Sequence, residues 1–223
     1  MNFYFSSTLF RKTVAALSGL FLITFLLGHL AGNLQLIFLT GEIAQKQFNE
    51  YAKFMTTNPA VKLLSYLTYG SILLHTLLTL FLARVSRQAR PVQYDVSSGD
   101  TNSGWASRNM PLLGVLVLVF IVVHMKSFWY EMHFGVLGND PWGNKDLYTL
   151  TVVSFREIWY TAFYVFSMAI MGFHLKHGIE SSFQTLGVKT RKYTGPIQQI
   201  SVGVSILIPM AFALIPILLH LRS

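Results

Sequence analysis

Histidine is the residue type in this sequence whose placement points most directly to chemistry. Four of the seven histidines lie within long apolar stretches, at His29, His75, His124 and His174. Polar side chains are costly in such segments and usually mark a functional site. For any one of them alone, a neutral imidazole bonded to a helix carbonyl is the simpler explanation. One histidine on each of four successive apolar segments favours a shared function.

Five stretches that lack Asp, Glu, Lys and Arg must position these side chains. They are 13–41, 63–83, 109–125, 158–175 and 193–221. A helix needs roughly 17–25 mostly apolar residues to cross a bilayer, so every stretch qualifies in length. Only 12% of the chain is charged, whereas soluble domains carry about 25% charged residues. The sequence therefore predicts an all-α membrane protein with five transmembrane helices.

We expect residues 1–223 to form a single transmembrane domain. The predicted spans are about 13–40, 61–84, 109–130, 156–178 and 196–221. The alternative is a soluble protein with five buried helices, but such helices need polar outer faces, which these segments lack.

The composition excludes several other classes of site. The chain has no cysteine, so it holds neither a thiolate-bound iron–sulfur cluster nor a disulfide of its own. Its formal net charge is +8, but the cations are scattered among loops and form no basic patch with interleaved aromatic residues. Charges that flank membrane spans explain this excess better than nucleic-acid binding does.

The distribution of lysine and arginine predicts the orientation in the membrane. Five spans place the two termini on opposite sides. Of the 17 lysines and arginines, ten fall on the side of the N-terminus and seven on the other, so the positive-inside rule places the N-terminus in the cytoplasm.

The depths of the four histidines sort them into two pairs. At a rise of ~1.5 Å per residue, His29 and His124 lie ~25 Å and ~24 Å from the cytoplasmic edge. His75 lies ~13 Å from that edge, and His174 lies ~5 Å from it. We call His29 and His124 the outer pair, and His75 and His174 the inner pair.

Two facing pairs of neutral imidazoles suit two haems enclosed by the bundle. Six-coordinate haem iron takes one axial ligand on each face, and two histidines leave no open position for oxygen. Zinc is the rival metal, but it requires four ligands that converge on one point, and the spread in depth argues against it. All four histidines are therefore predicted ligands of haem iron.

Smaller features surround these ligands. Gly28 and Gly32 remove side chains beside His29, where a flat macrocycle approaches the helix; the same G-x-x-x-G spacing also suits helix packing. His177 is an alternative to His174 as the fourth haem ligand, but it lies at the predicted membrane boundary. There it could contact a haem propionate or a quinone, or it could have no role beyond its interfacial position. His133 is expected in a loop, and His220 has no predicted partner.

The order of these motifs resembles a known family. The segments are GHLAGNLQL (28–36), FNEYAKFMTTNP (48–59), SYLTYGSILLH (65–75), WASRNMPLLG (105–114) and FHLKHGIESSFQTLG (173–187). Together they resemble the five-helix, dihaem cytochrome b membrane anchor of succinate:quinone oxidoreductases, that is, of succinate dehydrogenase or fumarate reductase. The resemblance covers nearly the whole chain. Its ligand pattern joins the first helix with the third and the second with the fourth, which implies the same two pairs.

The resemblance implies a function that this chain performs with partners. A flavoprotein subunit and an iron–sulfur subunit would bind at the cytoplasmic face of the bacterial inner membrane, and two haem b groups would relay electrons between them and a quinone. We expect menaquinone, because dihaem members of this family often use it. The chain has no glycine-rich dinucleotide fingerprint, so dicarboxylate chemistry belongs to another subunit. The chain is enzymatic only as part of that complex.

A quinone headgroup needs polar partners near a membrane surface. On the inner side the candidates are Tyr94, Ser107 and Arg108, and on the outer side they are Asn33, Gln35 and Glu50. Each has a plainer explanation as well, such as a membrane anchor for Arg108 and a solvated loop position for Glu50.

Two other kinds of protein remain as alternatives. One is a dihaem cytochrome b of another respiratory complex, such as a nitrate reductase or a hydrogenase, although the nitrate reductase subunit draws two histidines from each of two helices. Cytochrome b of the quinol:cytochrome c type repeats histidines thirteen or fourteen residues apart on one helix, a spacing that is absent here. The other is a haem-free transporter whose histidines relay protons.

Overall fold

The architecture is a bundle of long helices joined by shorter helical segments. The structure, a computed structural model, describes residues 7–89 and 105–222. In chain order the helices are α1 (Thr8–Asn33), α2 (Gln35–Phe38), α3 (Gly41–Thr57), α4 (Pro59–Gln88), α5 (Trp105–Arg108), α6 (Met110–His124), a π-helical turn (Met125–Tyr130), α7 (Glu131–Phe134), α8 (Leu147–Arg156), α9 (Ile158–Thr185) and α10 (Thr194–Arg222).

Five helical stretches are long and apolar enough to cross a membrane, which confirms that part of the prediction. They are Thr8–Phe38, Pro59–Gln88, Met110–Phe134, Ile158–Thr185 and Thr194–Arg222. The helices extend beyond most of the predicted limits, because a charge-free run marks the apolar part of a helix and not its ends. The fourth span begins later than predicted, because α8 and α9 are separate helices that meet at Glu157.

Local sequence explains where two of these helices begin. Ser7 accepts a hydrogen bond from the Phe10 N–H and caps α1. Asn58 accepts from the N–H groups of Ala60 and Val61, and Pro59 occupies the first turn of α4. Proline is favoured there because its missing N–H would have no helical partner. The pair Asn58-Pro59 therefore sets the start of the second span.

Helix α9 lies at the centre of the bundle, in contact with α10, α1 and α6, and α4 packs mainly on α1. Pro209 lies within α10, so it donates no hydrogen bond to the Ser205 carbonyl one turn earlier. That carbonyl faces Gly172 of α9, where a Cβ would come within 2.9 Å of the oxygen. A glycine thus allows α9 and α10 to approach closely where proline has freed a backbone acceptor.

The apolar outer faces of the helices remain exposed. Leu63 and Leu73 of α4 are 63% and 62% exposed, and Phe166 of α9 and Leu207 of α10 are 63% and 69% exposed. Exposed apolar surface on this scale is a liability in water and is typical of a surface that contacts lipid or protein. It disfavours the alternative of a soluble helical protein.

Helices α3 and α8 frame the end of the bundle that carries the outer pair. Asn49 of α3 is fully buried, and its amide nitrogen donates to Asp140 at 3.1 Å and to Asp146 at 2.9 Å. Its amide oxygen accepts from the Tyr148 N–H at 2.9 Å. We call Asn49, Asp140, Asn144 and Asp146 the outer polar network; it ties α3 to the loop that precedes α8.

Two histidines outside the predicted pairs have structural roles. The expectation of a loop at His133 is wrong, because α7 continues the third span through this residue, and its Nδ1 lies 2.8 Å from the Trp129 carbonyl oxygen. His220 donates to the carbonyl oxygens of Phe155 and Arg156, both at 3.1 Å. These bonds use carbonyls at the end of α8 that have no helical donor.

Candidate functional site: two histidine pairs

The four histidines of the apolar helices lie as two pairs of adjacent rings. The ring centres of His29 and His124 are 5.7 Å apart, with an angle of 83° between the planes. Those of His75 and His174 are 6.5 Å apart, with an angle of 73°. Each pair joins two different helices, α1 with α6 and α4 with α9. The outer and inner pairs named from the sequence are therefore neighbours in space.

The two pairs occupy separate levels of the bundle. On α1, Gly19 lies against His75 of the inner pair, and His29 of the outer pair follows ten residues later. On α6, Gly114 lies against His174, and His124 also follows ten residues later. Ten residues of α-helix span about 15 Å. Two helices thus indicate the same separation between the levels.

Backbone contacts determine which ring nitrogen of His75 carries hydrogen. Its Nδ1 lies 3.0 Å from the Ala15 carbonyl oxygen and 3.3 Å from the Ser18 hydroxyl oxygen. The Ser18 hydroxyl itself donates to the Ala15 carbonyl at 3.0 Å. Because a carbonyl only accepts, Nδ1 of His75 is the protonated nitrogen. Its Nε2 is then left with a free lone pair, as a metal ligand requires.

The partner ring of His75 contains an orphaned polar atom. Nδ1 of His174 is buried and lacks a hydrogen-bond partner within residues 7–89 and 105–222. Buried polar atoms in this state are rare, and each one needs an explanation. Gly114 lies beside this ring, and a Cβ built on it would be 3.7 Å from Cε1 of His174. His174 is thus held by packing and carries a ring nitrogen whose role the protein's own contacts do not explain.

The outer pair is enclosed by aromatic rings. Phe25 stacks on His29 with ring centres 5.4 Å apart, and Phe212 lies 5.7 Å from the same ring. Phe120 stacks on His124 at 5.7 Å, and Phe128 lies 5.5 Å from it. Apolar rings on several sides exclude water from the two imidazoles and keep them neutral.

A tyrosine contacts the ring nitrogen of His124. Nδ1 of His124 lies 3.3 Å from the Tyr164 hydroxyl, which in turn lies 3.0 Å from the Tyr160 hydroxyl. Both tyrosines belong to α9, and both are buried. Tyr164 precedes His174 by ten residues, so α9 contributes to both levels with the same spacing as α1 and α6.

The two glycines predicted beside His29 differ in their surroundings. Gly28 is exposed, and no heavy atom lies within 4 Å of a Cβ built on it. Gly32 is buried, and a Cβ there would collide with the ring of Tyr51. The space beside Gly28 is therefore open, whereas Gly32 accommodates the packing of α3 on α1.

The donor sets of both pairs fit a haem. A metal bonds an imidazole nitrogen at about 2 Å, so two imidazoles on opposite faces of one iron have ring centres about 6 Å apart. Direct edge-to-face packing of two rings gives similar distances, so the spacing alone identifies no metal. The tautomer of His75, which leaves the lone pair of Nε2 free, adds chemical support. Within residues 7–89 and 105–222, no group of three or more His, Cys, Asp or Glu forms a candidate metal site.

The quinone candidates fall into different surroundings. Ser107 and Arg108 lie exposed on α5, next to the contact between Trp105 and Phe173, whose ring centres are 5.8 Å apart. Tyr94 lies outside the described residues. The structure thus places Ser107 and Arg108 close to α9, near Phe173, which directly precedes His174.

The outer quinone candidates are mostly engaged by the backbone. Asn33 donates to the His29 carbonyl at 2.8 Å, and Gln35 donates to the Gly32 carbonyl at 2.9 Å. Glu50 is exposed and lines a shallow groove with Lys53 and Trp142. Asn33 and Gln35 bond carbonyls at the end of α1, so their amides are occupied in this state, and Glu50 is the most accessible of the three.

His177 lies within α9, one turn beyond His174. It is within electrostatic range of Glu180 and Lys189, which form an ion pair with a separation of 3.2 Å. The Ser201 hydroxyl donates to the Lys176 carbonyl at 2.8 Å and connects α10 to this end of α9. His177 therefore belongs to a polar cluster at the helix end and not to either pair.

Sequence reasoning missed several residues that contact the pairs. They are Ser18, Gly19, Gly114 and Tyr164. Tyr160 acts one step further away, through Tyr164, and Tyr51 contacts Gly32. One signal was available, because Gly19 and Gly114 each precede a paired histidine by ten residues. The hydroxyls carried no comparable signal, since serine and tyrosine are common in membrane spans.

Comparisons with known proteins give no assignment for this site. The chain matches no family model, and neither the curated proteins nor the solved structures contain a significant match.

Proposed function

We propose that this chain is a dihaem cytochrome b, the membrane subunit of a succinate:quinone oxidoreductase. The observation that supports it most is the arrangement of four histidines from four helices as two adjacent pairs at two levels. His29 and His124 would hold the iron of one haem b, and His75 and His174 would hold the other. The motifs resemble those of the five-helix anchor in the same order.

The two haems supply one-electron transfer when bound. His29 and His124 would hold one haem and His75 and His174 the other, and these histidines stay in place because they belong to packed helices. The Ala15 carbonyl keeps hydrogen on Nδ1 of His75, so that Nε2 would be available as the ligand atom. The aromatic rings around His29 and His124 exclude water. In this low-dielectric interior, a change in the charge of the iron would interact strongly with nearby polar groups.

The remaining parts of the proposal concern partners and orientation. A flavoprotein subunit and an iron–sulfur subunit would bind the cytoplasmic face of the bacterial inner membrane. The excess of lysine and arginine on the N-terminal side supports that orientation. Electrons would pass to a quinone of the membrane, which we expect to be menaquinone. Ser107 and Arg108 near α9 and Glu50 at the opposite end are the accessible polar candidates for its headgroup.

Absorption spectroscopy of the purified full-length chain tests the proposal. We expect a reduced spectrum with two α-band components and a haemochrome assay that gives two haem b per chain. A colourless protein, or one haem per chain, would contradict it. His133→Ala is a matched control, because His133 lies outside both pairs and should be dispensable for haem binding.

Histidine variants test the pairing within the same preparation. His75→Ala and His174→Ala should each remove one spectral component, and His29→Ala and His124→Ala should each remove the other. Loss of the same component from the His29 and His75 variants would show that the pairs are wrong.

Membranes that contain the chain distinguish the proposed complex from other respiratory complexes. Succinate should reduce both haems in these membranes, and fumarate should reoxidise them. Reduction by hydrogen but not by succinate, or reoxidation by nitrate alone, would favour the alternative complexes.

A further inference from the structure

We infer that Tyr164 is a positioning residue for the outer histidine pair and raises the electron-donating character of His124. The inference rests on the proposed function, because it concerns how the protein holds one of the two haem ligands. Its direct basis is the hydrogen bond between Nδ1 of His124 and the Tyr164 hydroxyl, 3.3 Å long, and the continuation of that bond to Tyr160 at 3.0 Å.

The protons of this chain of bonds have one consistent arrangement. A neutral imidazole carries a single N–H. If Nε2 of His124 is the ligand atom, that hydrogen is on Nδ1, so the Tyr164 oxygen accepts it. Tyr164 then donates its own hydroxyl hydrogen to the oxygen of Tyr160. The two tyrosines therefore act together as the acceptor for the His124 N–H.

Burial makes this contact effective. Tyr164 is 6% exposed and Tyr160 is 7% exposed, so water does not compete for their hydroxyl groups. The rings of Phe155 and Phe120 pack edge-on against Tyr164, with centres 4.9 Å and 5.1 Å away. The hydroxyl is thereby held in one place, and the His124 ring has a fixed orientation.

The inner pair uses a different acceptor for the same purpose. Nδ1 of His75 faces the Ala15 carbonyl and the Ser18 hydroxyl. Each pair thus contains one histidine whose Nδ1 is anchored to a neighbouring helix, His75 to α1 and His124 to α9. The acceptors lie on different helices, the Ala15 carbonyl and Ser18 hydroxyl on α1 and the Tyr164 hydroxyl on α9, so substitution can alter one level and leave the other intact.

An acceptor on Nδ1 makes the imidazole a stronger electron donor and stabilises oxidised iron. Loss of that acceptor should therefore shift the midpoint potential of the affected haem upward. We expect Tyr164→Phe, which keeps the ring and removes the hydroxyl, to raise one midpoint potential and leave the other unchanged. The affected component should be the one that the His29→Ala and His124→Ala variants lose.

Two matched variants sharpen the experiment. Tyr160→Phe keeps the contact with His124 and removes only the second hydroxyl, so it should shift the same midpoint potential by less. Ser18→Ala, which leaves the Ala15 carbonyl as the acceptor for Nδ1 of His75, should leave the outer midpoint potential unchanged. The measurement is a spectroscopic redox titration of the full-length chain with its haems bound, and electron paramagnetic resonance of the oxidised protein should show altered g-values for the affected haem alone.

The outcomes separate this inference from the proposed function. Absence of haem from the unmodified chain overturns the proposed function and the inference with it. Two haems whose midpoint potentials and g-values are all unchanged in Tyr164→Phe overturn the inference alone, as does an equal shift of both midpoint potentials. Loss of only the outer component from this variant, with the inner one retained, supports the positioning role.

Discussion

Glycines beside the inner pair differ in how much room they leave. A Cβ on Gly19 would lie 3.0 Å from Cε1 and 3.3 Å from Nδ1 of His75. On Gly114 it would lie 3.7 Å from Cε1 of His174, which is ordinary van der Waals contact. The close approach of α1 to His75 therefore favours glycine at position 19, where a methyl group would displace the ring, whereas α6 has room for a methyl group at position 114.

We expect Gly19→Ala to disturb the inner haem and Gly114→Ala to leave it intact. A methyl group at position 19 pushes the His75 ring away from the Ala15 carbonyl, to which Nδ1 is bonded at 3.0 Å. Haem content and midpoint potentials of the two purified variants provide the measurement. Identical behaviour of the two variants would refute the steric difference.

Gly28 provides the matching test at the outer level. Gly32→Leu is a poor test, because a side chain there collides with Tyr51 whether or not haem binds. A Cβ built on Gly28 meets no heavy atom within 4 Å, so Gly28→Leu should preserve the fold and lower the content of the outer haem. Gly70→Leu is the control, since Gly70 is also exposed and open. Full haem content in the Gly28 variant would show that no macrocycle lies beside this residue.

At the scale of elements, the outer polar network depends on one buried amide, that of Asn49. Asn49 joins α3 to Asp140, Asp146 and Tyr148, which lie 91 to 99 residues away in the sequence. All three bonds are short, and the Asn49 side chain is fully enclosed. Without this amide, Asp140 and Asp146 would each lose one donor, and the Tyr148 N–H would lose its acceptor.

We expect Asn49→Ala to lower the free energy of unfolding by about 2 kcal/mol, because it removes three hydrogen bonds, each worth about 0.5–1.5 kcal/mol. Gln45→Ala is the milder comparison, since Gln45 is only partly buried and also donates to Asp146, at 2.7 Å. Denaturation of both variants in detergent measures the difference. Equal stability of the Asn49 variant and the unmodified chain would contradict the importance of this network.

The carboxyl groups of the outer polar network predict that the stability of the fold depends on pH. Burial raises the pKa of Asp140, but hydrogen bonds from Asn144, Asn49 and Trp142 outweigh this effect, so its pKa lies below the ordinary value of 3.8. The pKa of Asp146 is also lowered. Burial raises it, but hydrogen bonds from Asn49, Thr149 and Gln45 outweigh that effect. A carboxyl whose pKa is lowered by folding stabilises the folded state above its ordinary pKa.

That stabilisation should disappear as the pH falls below about 4 and through the lowered pKa values. Thermal unfolding followed by tryptophan fluorescence at pH 7 and at pH 3 to 4, a range set by those pKa values, should show a decrease in the melting temperature. The Asp140→Asn variant should show a smaller decrease. An equal decrease in both proteins would place the acid-sensitive groups elsewhere.

At the scale of the whole molecule, sidedness is directly testable because the chain has no cysteine. Val136 is fully exposed at the end that carries the outer pair, and Val188 is 42% exposed at the opposite end. We expect Val136→Cys to react with an impermeant thiol reagent in intact cells, and Val188→Cys to react only after the membrane is opened. The reverse pattern would place the N-terminus outside.

Much of the architecture follows from one-dimensional patterns. Charge-free runs locate the five apolar helices because lipid leaves few other environments for such segments. Counting residues from flanking charges assigns His29 with His124 and His75 with His174, since the rise of a helix converts sequence distance into depth. Helices α3 and α8 escaped this reasoning, because they are too polar or too short to be recognised as spans.

The contacts that orient the histidines required the tertiary structure. His75 meets Ser18 across 57 residues of sequence, and His124 meets Tyr164 across 40. Periodicity describes one helix at a time, and the partner of a ring nitrogen depends on the rotation and approach of a second helix. The sequence by itself therefore determined the apolar helices and the levels of their histidines. The fold decided which hydroxyls, carbonyls and glycines meet those rings, because such contacts form only when separate helices pack together.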